Sequence, residues 1–244
     1  MKKLLAILMI GILAVSCTAC GEESSTDDTK GNSKTSSTKD SGTSADEADS
    51  EESEENNNAD SGEITMEAVL SQAVSPEGDF KFSKDEEGNR GVVSYKGSDS
   101  IVVIPDSYEG APVTKINKYS FSDKNSEKAI KCSDSVVEIE QLACALNDGL
   151  EIVVMGANTK TIGEGAFLQC SALREVKLND GLEVIVTQAF ASCHKLKSIT
   201  IPESVTTIEP GAFYGINDTI VIHGKAGSAA EEYAKSENIQ FVAE

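Results

Sequence analysis

Tryptophan is absent from the 244 residues, and histidine occurs only at His194 and His223. The two histidines are far apart in the chain, and neither has a Cys or His companion at zinc-ligand spacing, so no zinc site is expected. Basic residues are scarce. Lys and Arg number 21 against 41 acids, a net charge of −20, and the only arginines are Arg90 and Arg174. Nothing resembles the basic stripe that neutralises a phosphate backbone, which excludes nucleic acid as a partner. No G-x-S-x-G, P-loop or G-x-G-x-x-G run is present, so the common hydrolase and nucleotide signatures are missing and no cofactor is expected. A paired-carboxylate hydrolase stays open as a remote alternative, because acids are abundant.

The one long apolar run is at the start. Lys2 and Lys3 precede Leu4–Val15, which is too short for an ordinary transmembrane helix, and Ser16-Cys17-Thr18-Ala19-Cys20-Gly21 follows. A basic start, a short apolar stretch and then cysteine predict a secretion signal over residues 1–20. Thr18-Ala19-Cys20-Gly21 resembles the end of a bacterial lipoprotein signal, which implies lipid on Cys20, with Cys17 as the alternative. Residues 21–62 hold 13 acids against three lysines and no large apolar residue. Such a stretch cannot bury enough surface to fold and reads as a disordered acidic tether.

Next comes repetition. Ile152–Arg174 and Glu175–Lys197 match without a gap at a 23-residue period. Ser198–Thr219 follows, one residue short, while Ala129–Glu151 is a decayed copy and Ile101–Lys128 one with a longer loop. A fixed period in the 20s predicts a solenoid, here of about five coils. The second and fourth places of each block are apolar (Val102/Ile104, Val153/Met155, Ile199/Ile201), which puts both on one face of a short strand. A second apolar pair follows (Val113/Ile116, Val136/Ile139, Leu182/Ile185, Val205/Ile208), with Thr159/Ile162 as a variant. Phe121, Phe167, Phe190 and Phe213 then recur at one place, where the Ala129 block has Cys144; Leu142 is expected to turn inward and fill part of that gap. Ile220–His223 is expected as the last strand, with His223 on its inward fourth place.

The run Ser198–Ile208 and the A-F-x-x-C-x-x-L runs Ala166–Leu173 and Ala189–Leu196 resemble the BspA-like class of bacterial leucine-rich repeats. The resemblance implies a right-handed leucine-rich-repeat solenoid with short strands and short helical or irregular returns, capped at both ends. The expected division is an N-terminal cap at 63–98, the solenoid at 99–223 and a C-terminal cap at 224–244. In the N-terminal cap, 63–73 reads as a short helix with Met66, Val69 and Leu70 on one side. A hairpin follows around 85–89.

The resemblance also implies a cell-surface role without chemistry: a non-enzymatic binding module, adhesin or envelope interaction protein. It would recognise protein or glycan and be held to the outer face of the membrane by its N-terminal lipid. A structural or assembly factor of the envelope is the alternative. Outward strand places supply the candidate surface: Val103, Val154 and Lys177 on the first strands, and Val184 and Val186 on either side of inward Ile185. Cys170 and Cys193 share one place in adjacent coils. Stacked equivalents sit ~4.8 Å apart with parallel Cβ directions, which does not suit a bridge at ~3.5–4.5 Å, so the four domain cysteines are expected to be free.

Overall fold

The computed structural model describes residues 63–244. The expected signal segment with Cys17 and Cys20, and the acidic tether at 21–62, lie outside the described residues.

The chain enters through a one-and-a-half-turn helix, α1 (Met66–Ser71), whose N-cap Thr65 accepts from Ala68 N at 3.2 Å. A hairpin of β1 (Phe80–Lys84) and β2 (Arg90–Tyr95) follows. Its turn is closed by the Asp85 carboxylate, which accepts from Asn89 N at 2.7 Å and from Asn89 Nδ2 at 3.1 Å. Gly88 takes the left-handed conformation there, at φ +92.

The first coil then runs through β3 (Ile101–Val103), β4 (Ser107–Tyr108) and β5 (Ala111–Ile116). Its longer loop is the small antiparallel β4–β5 pair. Each later coil has a three-residue strand and a two-residue strand: β6 (Ala129–Lys131) and β7 (Glu138–Ile139), β8 (Ile152–Val154) and β9 (Thr161–Ile162), β10 (Glu175–Lys177) and β11 (Val184–Ile185), β12 (Ser198–Thr200) and β13 (Thr207–Ile208). β14 (Val221–Gly224), α2 (Ala229–Ser236) and β15 (Gln240–Ala243) close the domain.

The short strands line up as parallel ladders on two sides of the solenoid. One is β2-β5-β7-β9-β11-β13, with β1 added antiparallel at its end. The other is in two pieces, β3-β6-β8-β10 and β12-β14-β15. The second apolar pair of each repeat therefore opens the return with a strand, where a helical or irregular return was expected. Ile116, Ile139, Ile162 and Ile185 are all fully buried along that ladder. The coil count also exceeds the expected five: β3, β6, β8, β10, β12 and β14 are six successive equivalents. The last block is not short, because Ser198 pairs with Val221 and keeps the 23-residue register. Ile222 is thus the inward residue and Ile220 is buried just before the strand. His223 takes an outward place, half-buried, with Nδ1 3.4 Å from Glu244 Oε1.

Inside, the rings of Phe167, Phe190 and Phe213 stack at centroid separations of 5.4 and 5.4 Å, and Tyr233 of α2 closes the row at 5.9 Å. Cys144 interrupts the row below Phe167 and is buried. Leu142 does not fill the gap. It is half-buried at φ +55, against Gly165, where an added Cβ would meet its Cδ2 at 2.8 Å. Thr159 replaces an apolar residue without loss, since its buried hydroxyl donates to Val136 O at 3.1 Å.

The N-terminal segment lies across the outer face of the first ladder. Val69 of α1 packs with Ala129, Ile152 and Val154 in a cluster separate from the main core, flanked by Ile64, Met66 and Ile101. This explains why Ile101, Val103, Ala129, Ile152 and Val154 are apolar at outward places, whereas the corresponding places of β10 and β12 hold Glu175, Lys177, Ser198 and Thr200. It also overturns part of the expected surface: Val103 and Val154 are only 4% and 5% exposed. Leu70, expected on the packed side, is 40% exposed. The strap is tied down at several points. Ser75 N donates to Val103 O at 3.1 Å, Val103 N to Ser75 Oγ at 3.1 Å, Lys131 Nζ to Leu70 O at 2.7 Å, and the Arg174 guanidinium to Ile64 O. The free edge of β3 is thereby covered.

Candidate binding groove

The described part of the strap reaches Arg174 at the fourth coil, and beside it the ladder face opens into a groove of about 380 Å³. Met66 and Arg174 form one rim, and Glu175, Lys177, Ser198 and Thr200 project from β10 and β12 on either side. Val176, Leu178 and Ile199 form the floor. Val176 and Leu178 are half-buried, whereas their equivalents Val102, Ile104, Val153 and Ile201 are at most 1% exposed. A concave strip with an apolar floor and a few polar rim groups is the usual form of a recognition site.

The groove has its own electrostatics. Arg174 is engaged: its guanidinium nitrogens lie 3.5 Å from Glu151 and 3.7 Å from both Glu63 and Glu175. Lys177 is exposed and, among the described residues, its ammonium has no hydrogen-bond or carboxylate partner. Of the residues expected on the surface, Lys177 is the one in this groove. Val184 and Val186 lie on the other ladder, in and just after β11. Both are half-buried, and Val184 stacks between Thr161 and Thr207. Sequence reasoning missed the floor residues because their places are core places in every other coil.

A smaller cavity of about 300 Å³ crosses three coils on the turn side, lined by Leu146, Gln169, Ser192, Asp148, Ser171 and His194. Asp148, Ser171 and His194 occupy one place in successive coils. Ser171 Oγ donates to Asp148 Oδ1 at 2.6 Å, which commits its single proton to the carboxylate. A nucleophilic triad instead needs the imidazole between serine and acid. The four domain cysteines are free and buried. Burial pushes the thiols of Cys132 and Cys170 up to about 12 and those of Cys144 and Cys193 well above the ordinary range, so none is poised as a nucleophile.

Residues 99–219 match the model of the BspA type leucine rich repeat region, in six copies. No curated protein matches the chain in sequence. Among solved structures, the leucine rich repeat protein of T. pallidum is 24% identical, with a TM-score of 0.59, over 62% of this chain and 71% of that one. A leucine-rich repeat protein from Bacteroides capillosus is 28% identical over 62% of this chain and 99% of its own, with a TM-score of 0.41. A leucine rich cell surface protein from Faecalibacterium prausnitzii is 21% identical over 63% of this chain and 55% of its own, also at 0.41.

Proposed function

We propose that this chain, which belongs through residues 99–219 to the BspA-type leucine-rich-repeat proteins, is a lipid-anchored binding module on the outer face of the cell membrane. Solenoids of this family are scaffolds that ordinarily present surfaces, and the reading assigns no chemistry to this one. The observation that carries it is the groove at β10 and β12: an apolar floor opened by two core places, with an unpartnered lysine at the rim. Export and anchoring rest on the basic–apolar–cysteine start and the acidic tether that follows. A net charge of −20 keeps the module soluble and away from anionic polymers. The partner is a protein or glycan at the cell surface.

An array of matrix proteins and glycans probed with the purified protein tests this. Selective, saturable binding that Lys177→Glu weakens is the expected result. Equal retention on every spot, or none on any, would remove the recognition reading and leave a structural role in the envelope.

A further inference from the structure

The groove has a backbone feature that sets it apart from every other interval of the solenoid. Between coils one and two, Lys128 N and Ala129 N donate to Ser100 O, and Ile104 N to Lys131 O. The next two intervals repeat the pattern: Glu151 N and Ile152 N to Lys128 O with Cys132 N to Val154 O, then Arg174 N and Glu175 N to Glu151 O with Met155 N to Lys177 O. After β12 the ladder resumes, with Val221 N donating to Lys197 O and Ile201 N to His223 O. Between β10 and β12 the equivalent bonds from Lys197 N and Ser198 N to Arg174 O, and from Leu178 N to Thr200 O, are absent, and the two strands do not pair.

The other sides of the same two coils stay closed. Val184 pairs with Thr207, Phe190 N donates to Ala212 O at 2.8 Å, and Ser192 N to Tyr214 O at 2.8 Å. The split is therefore a wedge confined to the strand face, and it coincides with the groove. Two strand edges meet there with unused donors and acceptors, over a floor of Val176 and Leu178 that the split leaves half-exposed. Unpaired strand edges are templates for another strand.

We propose that this slot is an acceptor site for an extended segment of a partner polypeptide. The segment bonds through its backbone to the free edges of β10 and β12, sets a small apolar side chain on the floor, and turns an acidic side chain to Lys177. Polypeptide is favoured as occupant because the slot continues a surface that already holds polypeptide. The strap crosses the same ladder face over β6 and β8, Met66 of the strap forms the slot's rim, and Arg174 beside it grips the Ile64 carbonyl. Lys177, without a partner among the described residues, supplies the cation for an acid; Asp180 also lines the groove, so the acid belongs at Lys177 and away from Asp180. The strands are three residues long, so the matching segment is short, ~10 Å of extended chain. Pairing on both sides sets β10 and β12 ~9.6 Å apart, twice the ordinary spacing, so binding widens the wedge.

This inference rests on the binding-module reading, and two measurements on the full chain separate them. Residue-resolved hydrogen exchange of the free protein should show Leu178 and Ser198 amides exchanging at least tenfold faster than Met155, Ile201 and Val221. Equal protection would mean a closed sheet and would overturn the slot whatever the protein binds. A display library of random dodecapeptides is then panned on the protein. Enriched peptides should carry an acidic residue, should protect Leu178 and Ser198 on binding, and should bind at least tenfold more weakly to Thr200→Trp and Lys177→Glu proteins of unchanged melting temperature. Peptides that protect another face would refute the slot but keep the binding module. With an open sheet, no enriched peptide beside a positive glycan array would refute the polypeptide occupant, and failure of both screens would remove the module as well.

Discussion

The thiol of Cys193 donates to the carbonyl of Phe167 at 3.0 Å, from one coil to the coil before it. Cys170 makes the same bond to Cys144 O at 3.1 Å, and Asn147 Nδ2 to Phe121 O at 3.1 Å. One buried place, held by Asn, Cys and Cys in turn, thus satisfies a carbonyl 26 residues earlier in each coil. The cysteines are more than small apolar fillers. Replacing Cys193 with Ala should cost ~0.5–1.5 kcal/mol, because Phe167 O loses one of its two donors and keeps only the Cys170 amide at 3.3 Å. Urea melts of Cys193→Ala against Cys193→Ser, which keeps a donor, should show the serine protein to be the more stable. A serine protein as weak as the alanine one would mean that the bond contributes nothing.

The same burial makes stability depend on alkaline pH. Cys132, Cys170 and Tyr233 are pushed up to about 12 in the fold by burial, against ordinary values of 9.0 and 10.0. Above pH ~9 the unfolded chain releases protons that the folded chain retains, so stability falls as pH rises. The contribution is intact below pH 9 and is lost progressively toward pH 12, at about 1.4 kcal/mol per pH unit for each retained proton. Melts in urea at pH 8 and at pH 10.5 should differ accordingly, with or without reductant. A flat profile would show solvent-accessible thiols, and a reductant-sensitive one a disulfide.

Phe190 sits between Phe167 and Phe213 with no exposed surface. Phe190→Ala should lower the unfolding free energy by ~3–5 kcal/mol. A loss under ~1 kcal/mol in a urea titration would contradict the stacked row.

The strap should open before the solenoid does. It places one fully buried side chain, Val69, on the ladder face, and such small units have low local stability. Val69→Asp should free residues 63–75 for proteolysis and expose Ile152, Val154 and Val103 to a hydrophobic dye. Far-ultraviolet dichroism of the β-structure should be retained. Loss of that signal in Val69→Asp would mean that the strap is required for the solenoid to fold.

At the N-terminus, mass spectrometry of protein from intact cells should find a diacylglyceryl group on Cys20 or on Cys17. An unmodified start beyond Gly21 would remove the anchor and leave a secreted domain.

The period, the inward apolar places, the phenylalanine row and the free cysteines are properties of the sequence alone. They follow from local spacing, since a 23-residue repeat with matching apolar places has one economical way to bury them, coil upon coil. Register at the C-terminal end was not legible in the same way. Ile220, Val221 and Ile222 are all apolar, and pairing with Ser198–Thr200 selects Ile222 for the core. The fate of Val103 and Val154 also needed tertiary structure: a strand shows which side of the ladder a residue faces, and a distant segment decides whether that side meets water. The groove was hidden most deeply. Val176 and Leu178 carry ordinary core residues in ordinary core places, and only the missing bonds between β10 and β12 open them to solvent. Repetition encodes what each coil buries; the departures from repetition, which here form the candidate site, arise from how two particular coils meet in space.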